Sequence, residues 1–279
     1  MIETRGFRIA RAIVLTLLSL FVVVPLYIIV ATAFKPLEDV RGRFTWIPSS
    51  LTVEPFIEMW RTVPLADYFV NSVIVTITAT TLSVLVSIFA SYAIARLSFQ
   101  LKRPFSLVIL STQMFPGILF LLPLFLIFTQ IQRAIGLQLN GNYLGLIITY
   151  LTFSLPFSIW MLSGYLRGIP RELEEAAMID GSGRLGALFR VVLPVARPGI
   201  IAVGVFAFIN AWSEVLFASV LTNNDTRTLP IGLQSYSSES DVLWNELMAA
   251  SITVSLPIIV AFLFVQRYLV SGLSAGAVK

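Results

Sequence analysis

The stretch Arg171–Gly199, RELEEAAMIDGSGRLGALFRVVLPVARPG, decides how this chain is read. It sets four arginines and four acidic residues into a 279-residue sequence that is 57% hydrophobic and only 12% charged. Soluble domains are about 45–50% apolar and about 25% charged, so the sequence around this island has the composition of a multi-pass membrane protein. Local rules give the island a shape. Pro170 suits the first turn of a helix, and Glu172, Glu174 and Glu175 put negative charge near the positive end of its dipole. Leu173, Ala176 and Ala177 recur at i, i+3 and i+4 as a narrow apolar stripe, and Gly181 and Gly183 offer positions where φ can turn positive. The helix is therefore expected to stop near Asp180. A second short helix, from about Arg184 to Val192, is expected to end before Pro194, whose ring disfavours a helical residue ahead of it. Small side chains flanked by charges suit the docking of another surface, and they equally suit a solvated loop kept out of lipid by its charges.

Working outward, a bilayer core of about 30 Å needs about 20 apolar residues of helix. Six runs meet that length: Ala12–Phe34, Phe69–Ala95, roughly Phe105–Thr129, roughly Tyr143–Leu162, about Gly199–Leu221, and Leu247–Gln266. Pro25, Pro116, Pro123, Pro156 and Pro257 fall inside them, as kinks or as ordinary membrane-helix prolines. Lys and Arg gather in alternate connections: Arg5, Arg8 and Arg11; Arg96, Lys102 and Arg103; Arg167, Arg171, Arg184, Arg190 and Arg197; Arg267 and Lys279. Cytoplasmic loops retain basic residues, so both termini and the charged island are expected in the cytoplasm. The first run, three arginines before an apolar stretch ending Ala31-Thr32-Ala33, has the outline of a signal peptide. Its length and Pro25 favour an uncleaved anchor. The segment Leu51–Asp67 mixes Phe56, Ile57, Met59 and Trp60 with charges and reads as an interfacial loop on the outer surface.

The absences are equally informative. There is no His and no Cys, which excludes Cys/His metal sites, His-based triads and disulfides. Lys35, Lys102 and Lys279 each follow a non-glycine residue, so the chain carries no phosphate-binding G-x-x-x-x-G-K-[ST] loop. The fifth run contains one carboxylate, Glu214. An ionisable group at membrane depth costs roughly 2.5–3.5 kcal/mol on insertion scales and faces a cavity or a partner. Asn210 precedes it by one helical turn, which makes Asn210 and Glu214 candidates for a transport path. A purely structural pairing of Glu214 is the competing reading.

Glu175-Ala176-Ala177, three residues, Gly181, nine residues, then Val191-Val192-Leu193-Pro194 resembles the EAA loop of permease subunits of binding-protein-dependent ABC importers, with Val191 where Ile is common. The runs NYLGLIITYLTFSLPFSIWMLSGYLRGIPRELEEAAMIDGSG, FAFINAWSEVLFASVLT and TLPIGLQSY are similar to the MalG-like, carbohydrate-uptake branch, although Ser213 stands where that branch has Asn. The resemblance implies an all-α membrane protein of six transmembrane helices with the type I ABC importer permease fold. It implies an N-terminal helix and extracytoplasmic connector over 1–66, a permease core over 67–270 containing the coupling loop 167–199, and a short cytoplasmic tail over 271–279. Glu175, Ala176, Ala177, Asp180, Gly181, Leu193 and Pro194 would couple to a separate ATPase, with Glu175 facing a basic residue of that subunit. Asn223, Asn224, Gly232, Gln234 and Tyr236, in the outer loop Thr222–Glu246, would contact an extracytoplasmic sugar-binding protein. The implied partners are a second, MalF-like permease, an ABC ATPase dimer holding ATP and Mg, that binding protein and membrane lipid, with no nucleic acid. The expected protein is a multi-pass translocation subunit of a prokaryotic cytoplasmic membrane, not an enzyme, binding no cofactor itself. The competing functions are an ion-coupled secondary transporter, disfavoured by a single membrane carboxylate, and an ABC permease for a glycerophosphodiester or polyamine.

Overall fold

A computed structural model describes residues 4–237 and 241–277, with the side chains of 264, 265 and 267–277 outside that description. Apart from one isolated antiparallel bridge between Ser237 and Val242, the regular structure among the described residues is helical. In chain order the helices are α1 (Arg5–Ala33), α2 (Leu37–Arg41), α3 (Glu54–Thr62), α4 (Leu65–Arg96), α5 (Lys102–Thr112), α6 (Leu121–Ile135), α7 (Tyr143–Arg167), α8 (Glu172–Ile179), α9 (Arg184–Ala187), α10 (Leu193–Trp212), α11 (Leu216–Leu221), α12 (Leu229–Gln234) and α13 (Trp244–Ala277). Among the described residues six helical stretches are long and apolar enough to cross a membrane: Arg5–Ala33, Leu65–Arg96, Gly117–Ile135, Tyr143–Arg167, Arg184–Trp212 and Trp244–Leu263. The expected 271–279 tail continues α13 as far as residue 277, and 278–279 lie outside the described residues.

Three expectations about element boundaries need correction. The run Phe105–Thr129 is not one helix: α5 ends at Thr112, a single 3-10 turn covers Gly117–Phe120, and α6 follows. Pro116 lacks an N–H and pushes Phe115 out of the α region, while Pro123 falls in the first turn of α6, where a missing N–H costs nothing. The fifth crossing is likewise not Gly199–Leu221. It begins earlier and ends at Trp212, with a break over Ser213–Val215 before the short α11. Nor does Pro194 end a separate second helix. The chain runs from α9 through a π-helical turn, Leu188–Val192, straight into α10, with Pro194 in the first turn of α10. A π turn widens the hydrogen-bond ladder, and Pro194 needs no donor of its own there.

The chain divides into two compact units, Met1–Ala66 with Gly232–Leu256, and Asp67–Ile231 with Pro257–Lys279. In the first, α1 starts after Thr4, whose hydroxyl accepts from the Phe7 amide. Lys35 is buried, donates to the Thr45 carbonyl and lies 5.4 Å from the Phe44 ring centroid. Arg41 pairs with Asp241, and Asn245 donates to the Lys35 carbonyl at 3.4 Å. In the second unit one apolar cluster joins Val75, Ala79, Phe128, Leu146, Tyr150, Phe217 and Leu221. Another joins Ile88, Tyr92, Leu162, Leu166, Leu188, Val192 and Val203. Gly199 allows α10 to approach α7 closely, because a Cβ there would stand 2.6 Å from Tyr165 Cγ.

Candidate functional site

The charged loop folds as two helical segments around a glycine turn. Helix α8 ends in a Schellman motif: Ser182 N–H bonds the Ala177 carbonyl at 3.0 Å and Gly181 N–H bonds the Met178 carbonyl at 3.1 Å. Gly181 itself sits at φ +89°, which glycine adopts without strain. Of the residues assigned to coupling, Glu175, Ala176, Asp180 and Gly181 are exposed, and Ala177, Leu193 and Pro194 are half-buried. Leu173, Ile179 and Leu185 stand beside them 43%, 86% and 64% exposed. Glu172, Glu175, Asp180 and Arg184 are exposed on the same two segments, so placing these apolar side chains in the hydrocarbon core would carry charge with them at a cost.

The underside of α8 holds a residue that the sequence reading placed with its exposed neighbours. Glu174 is turned inward, where its carboxylate pairs with Arg96 Nε at 3.1 Å and accepts the Tyr92 hydroxyl. The Arg96 and Glu174 side chains are 5% and 9% exposed. Arg96 also donates to the Ile169 carbonyl at 2.9 Å, and Arg171 donates back to the Ala95 carbonyl at 3.3 Å.

The break after Trp212, where the fifth crossing helix ends, is organised by Glu214. Its two carboxylate oxygens accept the amides of Phe217 at 2.8 Å and Ala218 at 2.9 Å, capping α11. The exposed N–H groups of a helix start favour an anion. The same carboxylate lines a cavity of about 100 Å³ with Ala79, Tyr150, Ser154, Asn210 and Phe217. The Tyr150 hydroxyl is buried in this region facing the Glu214 carboxylate, and Asn210 donates to the Phe206 carbonyl at 2.8 Å. Asn210 and Glu214 thus meet at one cavity, although the helix that carries Asn210 ends before Glu214. Trp212 is buried, stacked on Phe208 at 5.6 Å and edge-on to Phe69 at 6.0 Å.

The candidates for binding-protein contact separate by exposure. Asn224 and Gln234 are exposed. Asn223 is exposed too, but its side-chain oxygen is engaged by the Asp225 and Thr226 amides and the Thr226 hydroxyl. Gly232 and Tyr236 are buried. The Tyr236 hydroxyl donates to the Met59 carbonyl, and burial, reinforced by the Glu246 charge, pushes its pKa up. Asn71 and Tyr143 hold the loop's first part: Asn71 donates to the Asp225 and Arg227 carbonyls at 2.9 Å and accepts the Tyr143 hydroxyl.

Residues 83–275, which include the charged loop and the Glu214 break, match the family of binding-protein-dependent transport system inner membrane components. The chain belongs to this family. It is 38% identical over 236 residues to the sulfoquinovosyl glycerol transport system permease protein SmoH of Agrobacterium fabrum, covering 84% of this chain and 81% of that one. It is 36% identical over 263 residues to the diacetylchitobiose uptake system permease protein DasC of Streptomyces coelicolor, covering 92% of each. Its fold matches a bacterial ABC transporter involved in import of the acidic polysaccharide alginate, with TM-score 0.82 at 19% identity over 96% of this chain and 99% of that one. As a family member the chain is a multi-pass translocation component, not an enzyme, and works with a separate ATPase and a substrate-binding protein.

Proposed function

We propose that this permease carries a carbohydrate, a disaccharide, oligosaccharide or related glycoside, into the cell across the cytoplasmic membrane, together with a second permease. The charged loop lies on the cytoplasmic side and receives the ATPase through Glu175, Ala176, Ala177, Asp180 and Gly181, with Leu193 and Pro194 setting the return into the membrane. The observation that carries this reading is the exposed apolar surface of Leu173, Ile179 and Leu185 on a loop too charged for lipid. A patch of that kind is a protein-interaction surface. Relatives named for diacetylchitobiose and sulfoquinovosyl glycerol support the substrate class.

A second permease is supported from two sides. Helix α1 buries only Ala33 within the chain, leaving its apolar surface to lipid or a partner. The Glu214 cavity, at about 100 Å³, is smaller than the roughly 300–1,000 Å³ of small-molecule sites, so Asn210 and Glu214 supply one wall of a path completed by another chain. On the outer side Asn224 and Gln234 meet the binding protein, while Asn223, Gly232 and Tyr236 shape the segment that presents them. The test is reconstitution of this chain with its ATPase, partner permease and binding protein in proteoliposomes. ATP-dependent uptake of a radiolabelled disaccharide is expected. It should be lost, together with copurification of the ATPase, on Gly181→Pro or Glu175→Lys. Uptake driven by an ion gradient without ATP would refute the reading.

A further inference from the structure

Four helices contribute to the walls of the Glu214 cavity: α4 through Ala79, α7 through Tyr150, Phe153 and Ser154, α10 through Ala207, Asn210 and Ala211, and α11, which follows α10 after the Glu214 break, through Phe217. Two of them are joined to the coupling loop by the chain itself. Helix α7 runs into it through Gly168–Arg171, and α10 leaves it through the π turn. Helix α4 has no such connection. The chain leaves α4 at Arg96 for α5 and reaches the loop only after α7. What ties α4 to the loop is side-chain contact: apolar packing from Ile88 and Phe89 against Leu188, Phe189 and Val192, and the charged and hydrogen-bonded contacts of its last turns.

We propose that Glu174, Arg96 and Tyr92 are positioning residues that make α4 follow the coupling loop, so that movement imposed by the ATPase reaches α4, α7 and α10 together. Arg96, the last residue of α4, contacts two separate parts of the loop, pairing with Glu174 on α8 and donating to the Ile169 carbonyl ahead of it. Tyr92, one turn earlier, reaches the other oxygen of Glu174, and Arg171 returns a bond to the Ala95 carbonyl. The apolar cluster next to this joint, Ile88 against Leu162, Leu166, Leu188 and Val192, holds surfaces together without fixing their register. Packed apolar helices can slide by small amounts. A buried ion pair is different. It adds little net stability over an apolar pair, but displacement leaves two side chains that are only 5% and 9% exposed without their partners, so it penalises sliding. At 1.5 Å per residue, the 17 residues between Ala79 and Arg96 carry that constraint about 26 Å along α4.

The proposal rests on the reading that the loop receives the ATPase, and copurification of the ATPase with the unaltered chain checks that reading by itself. Two experiments test the proposal on the reconstituted complex. In the first, Glu174→Gln should retain the ATPase and its hydrolysis while transport per ATP falls roughly 5- to 150-fold, the range of an intersite coupling. The reversed pair Arg96→Glu with Glu174→Arg should regain part of that ratio. An unchanged ratio in Glu174→Gln overturns the proposal. The second experiment decides the matter even where Glu174→Gln fails to assemble. The sequence contains no cysteine, so cysteines at exposed Ser98 and Glu172 take spin labels without competition. Their separation should be the same in the nucleotide-free and ATP-trapped complexes. A change approaching one helical turn, about 5.4 Å, would show α4 and the loop moving independently and overturn it.

Discussion

Glu214 shows how one residue can serve a helix break twice. Its carboxylate satisfies two amides at the start of α11 and also lines the cavity. Glu214→Ala removes that cap and should destabilise the detergent-solubilised chain by about 1–2 kcal/mol, read as a lowered thermal unfolding midpoint. Glu214→Gln keeps one acceptor oxygen and should cost less. Equal stability of all three chains would remove the capping role. Gly181 carries a different constraint. With φ at +89°, Gly181→Ala should cost about 1–2 kcal/mol of backbone strain and should show first as weaker retention of the ATPase, because the two segments of the loop would no longer turn in register. The sequence exposed both residues, one as an isolated membrane carboxylate and one as a glycine after an alanine stripe. It did not expose Glu174, since a buried glutamate and a solvated one are written with the same letter and Arg96 lies 78 positions away.

At the scale of elements, what hydropathy could and could not show has a physical cause. Apolar length located the six crossings, because burying about 20 residues in hydrocarbon dominates every local preference. It did not locate breaks inside a crossing. Hydropathy passes over both the Pro116 interruption, flanked by Gln113 and Phe120 in contact with Phe153 of α7, and the Ser213–Val215 gap, capped by Glu214. The proline rule misled at Pro194, where a π turn absorbed the disruption that would otherwise have ended the helix. Packing between α7 and α10 offers a sharper test. Gly199→Ala places a Cβ 2.6 Å from the Tyr165 ring and should destabilise by about 1–3 kcal/mol through overpacking. Combining it with Tyr165→Ala should cost less than the sum of the two single changes, a non-additivity that denaturant or thermal unfolding of the four chains would measure. Strict additivity would place the clash elsewhere.

For the whole molecule, the cavity sets the limit on what this chain does alone. At about 100 Å³ it is well below the roughly 300–1,000 Å³ of small-molecule sites, so the isolated chain should give no heat of binding with disaccharides in calorimetry, whereas the assembled transporter presented with loaded binding protein should take substrate up. Saturable disaccharide binding by the isolated chain would contradict this. The uninterrupted column from Arg184 to Trp212 has one more consequence. Twenty-nine residues of continuous helix span about 43 Å, with one end in the charged loop and the other at the cavity. Such a column acts as a lever: a tilt of about one-tenth of a radian at Arg184 displaces Trp212 by about 4 Å. The stroke required of the motor subunit is therefore small, and the length of this helix sets the gain.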